Sequence, residues 1–331
     1  MQQDDIQDAA LFSADVLKAY SSSVLPRHGL LGTISNVGQT SWWSLMEEDK
    51  DNRLVQNISM PFSVFVCGLQ GSGKSHTLSC LVGKMLHCTI TLLINGALEN
   101  CLIQTPMLGN LQTRLSALVF HFSQYNSQSS FRPCELAFLA CPSRRFPNHP
   151  SVAPVNILVA PSNYHNLQSS YAQIPGVNVQ PFRLRPRDLN VSSMLTLMCV
   201  DQSQAAPLYI GQITKILRDM ASTSPQGFDY TEFKRRVQKS NFSRAQKGPL
   251  EQRLELLESF LILDGSIPKW SFESGGATIV DLSCPFVDAN MACVLFNIGI
   301  GLFLESDRIT GKLIAMDEAH KVRWRENLMS T

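Results

Sequence analysis

The run Gly68-Leu-Gln-Gly71-Ser72-Gly73-Lys74-Ser75 satisfies G-x-x-x-x-G-K-[ST], the Walker A spacing, at every fixed position. Each residue type has a physical reason to be there. The glycines let consecutive backbone N–H groups curl around a phosphate, where a Cβ would clash or forbid the required φ. Lys74 supplies a point charge that reaches the β- and γ-oxygens of a nucleoside triphosphate, and Ser75 offers a hydroxyl to Mg2+. His76 starts the next segment, His76-Thr-Leu-Ser-Cys-Leu81, which can open a helix whose N-terminal dipole favours the same anion. The competing reading is a Gly/Ser loop that only turns the chain.

A triphosphate site of this kind needs a second part, an acidic residue at the end of a neighbouring strand. Leu313-Ile-Ala-Met316-Asp317-Glu318 has that form, an apolar strand that ends in two carboxylates. Asp317 is expected to hold Mg2+ through water. Glu318 is expected to orient and polarise an attacking water, which with Lys74 makes it the catalytic candidate. The cofactor-binding set is then Gly68, Gly71, Ser72, Gly73, Lys74, Ser75 and His76, with Ser75 and Asp317 at the metal. The alternative for Asp317 and Glu318 is an acidic turn after a strand.

Both half-sites demand particular elements around them. Phe62–Cys67, begun by Pro61 and closed by Gly68, reads as a buried strand entering the glycine loop. Ala117–Phe122, Leu136–Ala140 and Val155–Ala160 are short apolar runs bounded by turn residues, the pattern of central parallel strands. Thr278–Val280 and Lys312–Met316 read as further strands, with a long buried helix over Val287–Leu304 between them. Leu195, Leu197 and Met198 sit in one candidate helix, Ile210, Ile213, Ile216 and Leu217 space as a second, and Leu250, Leu254, Leu257 and Phe260-Leu261 mark a third. They predict a helical insertion at about 188–264. Strands alternating with helices give an α/β domain over 61–331 with a mostly parallel sheet. Residues 1–60, polar and weakly periodic, read as a loosely ordered leader.

Composition narrows the function classes. The chain has 331 residues, 44% of them hydrophobic, 17% charged, and a net charge of +1. That excludes a wholly disordered protein and gives no chain-wide electrostatic grip on nucleic acid or anionic membrane. The nine cysteines fall singly, with no C-x-x-C pair and no Cys/His ligand spacing along the sequence. The N-terminus, Met1-Gln-Gln-Asp-Asp5, is acidic where a signal peptide needs positive charge. Met291–Leu304 is too short for a membrane span. The expectation is a soluble intracellular protein, cytoplasmic or nuclear, with no membrane partner.

The order of these features resembles the HerA/FtsK-like branch of the ASCE P-loop NTPases. Gly68–Ser75 comes first, Ile279-Val-Asp281-Leu-Ser283 follows a helical insertion, and Val287–Leu304 precedes Leu313–His320. The text Pro61–Cys80 is similar to a fungal group of P-loop ATPases. The resemblance covers about Asn52 to Val322 and implies a RecA/ASCE-type fold, ATP and Mg2+ as cofactors, a homo-oligomeric ring, and DNA by analogy only. Asp317-Glu-Ala-His320 also spells the DEAH box. The helicases named for it place that box much nearer the glycine loop and follow it with a second RecA-like domain, so that reading is rejected. Relative to the resembled group, Val82–Ala97 reads as an interposed stretch that suits translation of an unspliced intron. The C-terminal sensor strand and arginine finger of the family are expected to be missing after Thr331.

The remaining candidates carry paired readings. Asp281 either faces the γ-phosphate or caps the next helix through Ser283. His320 suits a structural or signal-relaying role, since Glu318 already holds the place of the base. Arg183, Arg185 and Arg187, and Lys234, Arg235, Arg236 and Lys239 with Lys247, form local basic clusters that are either DNA contacts or a solvated face. Three functions remain open at this point. The first is a Mg-dependent ATPase and the second a nucleotide-binding remnant without turnover. The third is a small-molecule phosphotransferase, disfavoured because Glu318 polarises water.

Overall fold

The computed structural model describes residues 8–20, 27–33, 53–59, 61, 63, 102–103, 109–110, 113–123, 133–141, 150–198, 208–223, 228–266, 270–309 and 311–317. The described chain opens with β1 (Leu11–Ser13), α1 (Ala14–Ala19), β2 (His28–Thr33), β3 (Arg53–Asn57) and β4 (Gly109–Asn110). These four strands form an antiparallel sheet in the order β1-β3-β2-β4. Phe12, Ala14 and Val55 make its small core, with Val16 and Leu17 packed against them. Within residues 1–60, the described segments include the paired strands β1, β2 and β3 and the helix α1. These strands pair at long sequence separations, which local periodicity does not reveal.

The main body is mixed α/β. Its strands are β5 (Ser116–His121), β6 (Val155–Val159), β7 (Val177–Pro181), β8 (Ala277–Asp281) and β9 (Lys312–Met316). They form a five-stranded sheet in the order β7-β6-β8-β5-β9, parallel throughout. Its helices are α2 (Tyr164–Tyr171), α3 (Val191–Met198), α4 (Ile210–Thr223), α5 (Tyr230–Lys239), α6 (Arg244–Ser259) and α7 (Ala289–Leu304). Residues of β5, β6 and β8 are almost wholly buried, as the continuous apolar runs require of strands covered on both faces.

Alternation along each strand divides the core in two. Leu118 and Phe120 of β5, Leu158 of β6 and Val280 of β8 point to the face covered by α3 to α7. Ala117 and Val119, then Val155, Ile157 and Val159, then Ala277 and Ile279, point to the other face, against α2 and the segment 134–141. Helix α7 comes close to the sheet at Gly299. A Cβ there would stand 3.3 Å from Cε1 of Phe120, closer than ordinary van der Waals contact.

Most of the apolar runs lie where the sequence puts them, and one does not. Leu136–Ala140 belongs to a 3-10 helix, Glu135–Ala140, instead of a strand. Glu135 and Phe138 are exposed while Leu136, Ala137, Leu139 and Ala140 are buried, a three-residue repeat that suits 3-10 geometry and not a pleat. Helix α5 adds to the insertion: Tyr230, Phe233 and Val237 form its buried stripe, and Asp229 caps it by accepting from the Thr231 and Glu232 amides. Apart from Ser63, which has no strand assignment, Phe62–Cys67 lies outside the described residues, as does the helix expected after Ser75. Among the described residues, no helix is long and apolar enough to cross a membrane.

Candidate functional site

The parallel registers set His121 at the tip of β5 beside Asp281 of β8. On its other side, β5 and β9 pair Phe120 with Met316, and the Asp317 amide donates to the Phe120 carbonyl at 2.9 Å, so Asp317 is the next residue in that row. Strand alternation then fixes the direction of all three side chains. His121 shares a face with Ala117 and Val119, Asp281 with Ala277 and Ile279, and Asp317 with Ala315. Three ionisable side chains thus converge at the carboxyl ends of three adjacent parallel strands. In open α/β sheets ligands bind in the crevice at those ends. The onward connections support such a crevice: after β5 the chain packs residues 134–141 on one face, and after β8 it packs α7 on the other.

Two groups from beyond the strands close the cluster. Tyr171, at the end of α2, donates its hydroxyl to Oδ2 of Asp281 at 2.8 Å and accepts the Cys134 amide at 2.9 Å. Oδ1 of Asp281 accepts the Ser283 amide at 2.9 Å. The Ser283 hydroxyl accepts the Ser123 amide at 3.0 Å, and the Ser283 carbonyl accepts from Asn163 Nδ2 at 2.8 Å. Asp281 and Ser283 are fully buried, so each of these bonds satisfies a group that water cannot reach. The helix cap considered for this segment belongs elsewhere: Asp288, not Ser283, accepts the Met291 amide at the start of α7. Asp281 is occupied by Tyr171 and the Ser283 amide.

His121 Nδ1 lies 3.2 Å from Oδ2 of Asp317, with side chains 12% and 9% exposed. Burial alone disfavours the imidazolium, but Cys134, Asp281 and the hydrogen bond to Asp317 outweigh it and raise the His121 pKa well above its ordinary value. Burial pushes the Cys134 thiol upward, against the opposing influence of His121. Burial also raises Tyr171, reinforced by the Asp281 carboxylate, so the phenol stays protonated and donates.

Asp317, the expected metal ligand, is thus buried at the end of β9, on the same row as His121 and Asp281. Gly68, Gly71, Ser72, Gly73, Lys74, Ser75, His76, Glu318 and His320 lie outside the described residues. Sequence reasoning overlooked His121, Cys134 and Tyr171 as members of a site. A signal existed for His121, a polar residue inside the apolar run Ala117–Phe122 and in phase with Ala117 and Val119. Cys134 and Tyr171 arrive by tertiary packing, and their local sequence carries no mark of it.

Part of each basic cluster is engaged in local pairs. Arg235 and Arg236 both bond Glu232, at 2.6 and 2.7 Å, and Lys234 reaches Glu258 at 2.7 Å. Lys247 faces Glu251 at 3.8 Å, and Arg185 closes on Asp188 at 2.7 Å. Comparison with known proteins gave no match to any family model and none to a curated protein.

Proposed function

We propose that this chain is an ATP-binding P-loop NTPase of RecA/ASCE type, HerA/FtsK-like in its order of motifs, that hydrolyses ATP with Mg2+. One observation carries the reading: Asp317, chosen as metal ligand from sequence alone, is a buried carboxylate at the carboxyl end of a parallel strand. That is where a metal-holding acid is needed beside a triphosphate. The donor set fits the ion, because Mg2+ prefers hard oxygen ligands and retains waters. Asp317 through water and the Ser75 hydroxyl would hold it, and the ion would neutralise charge on the phosphates. The backbone of Gly68–Gly73 and the Lys74 ammonium bind and orient the phosphates. Glu318, next to Asp317, takes a proton from the attacking water. His121 orients the Asp317 carboxylate from the adjacent strand.

Glu232 and Glu258 offset part of the charge of Lys234, Arg235 and Arg236, and nucleic acid is not part of this proposal. ATP binding and turnover on the full chain test it. Lys74→Ala is expected to weaken ATP binding by ~10- to 100-fold, the value of one charge-assisted contact. Glu318→Gln is expected to keep binding and lower turnover by ~10²- to 10⁴-fold, the usual share of a general base. Binding without any wild-type turnover would leave a nucleotide-binding protein that is not an ATPase. Undiminished binding in Lys74→Ala would remove the P-loop reading.

A further inference from the structure

The cluster around Asp317 holds a donor set that Mg2+ does not use. His121, Cys134 and Asp317 each present one ligand atom, an imidazole nitrogen, a thiol sulfur and a carboxylate oxygen, and these atoms lie within 4.8 Å of one another. Hard cations take oxygen ligands, whereas mixed nitrogen, sulfur and oxygen sets select borderline transition ions. We propose that His121, Cys134 and Asp317 form a site for a borderline divalent transition ion such as Zn2+, with a fourth position open to water.

The geometry is close to what such an ion requires. Zn–N and Zn–O bonds of ~2.1 Å put two tetrahedral ligands ~3.4 Å apart. The observed Nδ1···Oδ2 separation is 3.2 Å. With a Zn–S bond of ~2.3 Å, the sulfur needs to move inward by no more than ~1 Å. The ligands are held by surroundings of the kind that metal sites use. Tyr171 fixes the Cys134 backbone by accepting its amide at 2.9 Å. Cys134 is 1% exposed and reduced, with no disulfide partner. On binding, the Cys134 thiol and the His121 Nδ1–H each give a proton to solvent, and the thiolate and the neutral imidazole bond the metal. The three ligands come from a strand end, a loop and a second strand end. No contiguous Cys/His motif therefore marks them in the sequence.

Ion binding here does not depend on the nucleotide reading. Its consequence does: if Asp317 serves Mg2+ during ATP hydrolysis, a transition ion held by the same carboxylate inhibits that reaction. The test separates the two by titrating Co2+ into chelator-treated, reduced full-length protein without nucleotide, in both the wild type and Lys74→Ala. Both should show a thiolate-to-cobalt charge-transfer band saturating at one equivalent. The band should vanish in Cys134→Ser, and affinity should fall at least ~10-fold in His121→Ala and in Asp317→Asn. X-ray absorption of the zinc-loaded wild type, which needs no variant, should show one sulfur among lighter ligands. A sulfur-free shell, an absent band, a band unchanged in Cys134→Ser, or affinity unchanged in either of the other variants would overturn the site. Failure of ATP binding alongside an intact cobalt band would overturn only the nucleotide reading.

Discussion

At the ends of β5, β8 and β9, His121, Asp281 and Asp317 stand in one row against Cys134 and Tyr171, away from water. On α5 and α6, Glu232, Arg235, Arg236, Lys234 and Glu258 pair on the outer side of the helical insertion. Both regions satisfy their polar groups locally, but the consequences of breaking them differ. A buried group that loses its partner bears the full desolvation cost, whereas an exposed one regains water. The strand ends are therefore intolerant of substitution for reasons of stability as well as chemistry. The insertion holds its shape chiefly through the apolar stripes of α3 to α6, and its charges are replaceable.

The largest effect expected from this contrast is at Tyr171. Tyr171→Phe keeps the ring and removes the hydroxyl, which leaves both Oδ2 of Asp281 and the Cys134 amide without that partner. Denaturant unfolding should show a loss of about 2–4 kcal/mol, the cost of two unsatisfied buried groups. A loss as small as that of a surface substitution would mean water reaches the row, and the contrast between the regions would fail.

Glu232 provides the small-effect end. Its hydrogen bonds from Arg235 and Arg236 lower its pKa from 4.5 to about 2. A depressed carboxylate pKa stabilises the fold above the unfolded value, and that contribution disappears as pH falls through the folded one. The thermal melts of wild type and Glu232→Gln should therefore differ slightly above pH 4.5 and converge towards pH 2. Salt should shrink the difference at neutral pH, since the pair is solvated. A large, salt-independent difference would show that this face is buried in an assembly.

Legibility in the sequence followed the range of the interactions. β5, β6 and β8 were readable because burial on both faces forces a continuous apolar run, and β9 was readable from its apolar residues although Ile314 is exposed. α4 and α6 were readable because one buried stripe forces a helical repeat. The 3-10 segment Glu135–Ala140 was misread because the same apolar residues suit a strand until the exposure of Glu135 and Phe138 reveals a three-residue period. β7, an edge strand reading Val-Asn-Val-Gln-Pro, lacks the continuous run and gave no signal. Asp317 was legible because a carboxylate at the end of an apolar strand is a local pattern. Its contact with His121, and the approach of Cys134 and Tyr171, depend on register between distant strands and on packing of separate loops. One sequence does not encode that in any short window.

The central claim is that Asp317 serves a Mg2+–ATP site, and calorimetric titration of ATP with and without Mg2+ tests it most directly. In the wild type, Mg2+ should strengthen ATP binding. In Asp317→Asn, which keeps the side-chain shape and an oxygen for His121, that strengthening should fall by at least ~10-fold while metal-free binding stays the same. Equal Mg2+ dependence in the two proteins, or no ATP binding by the wild type, would contradict the account.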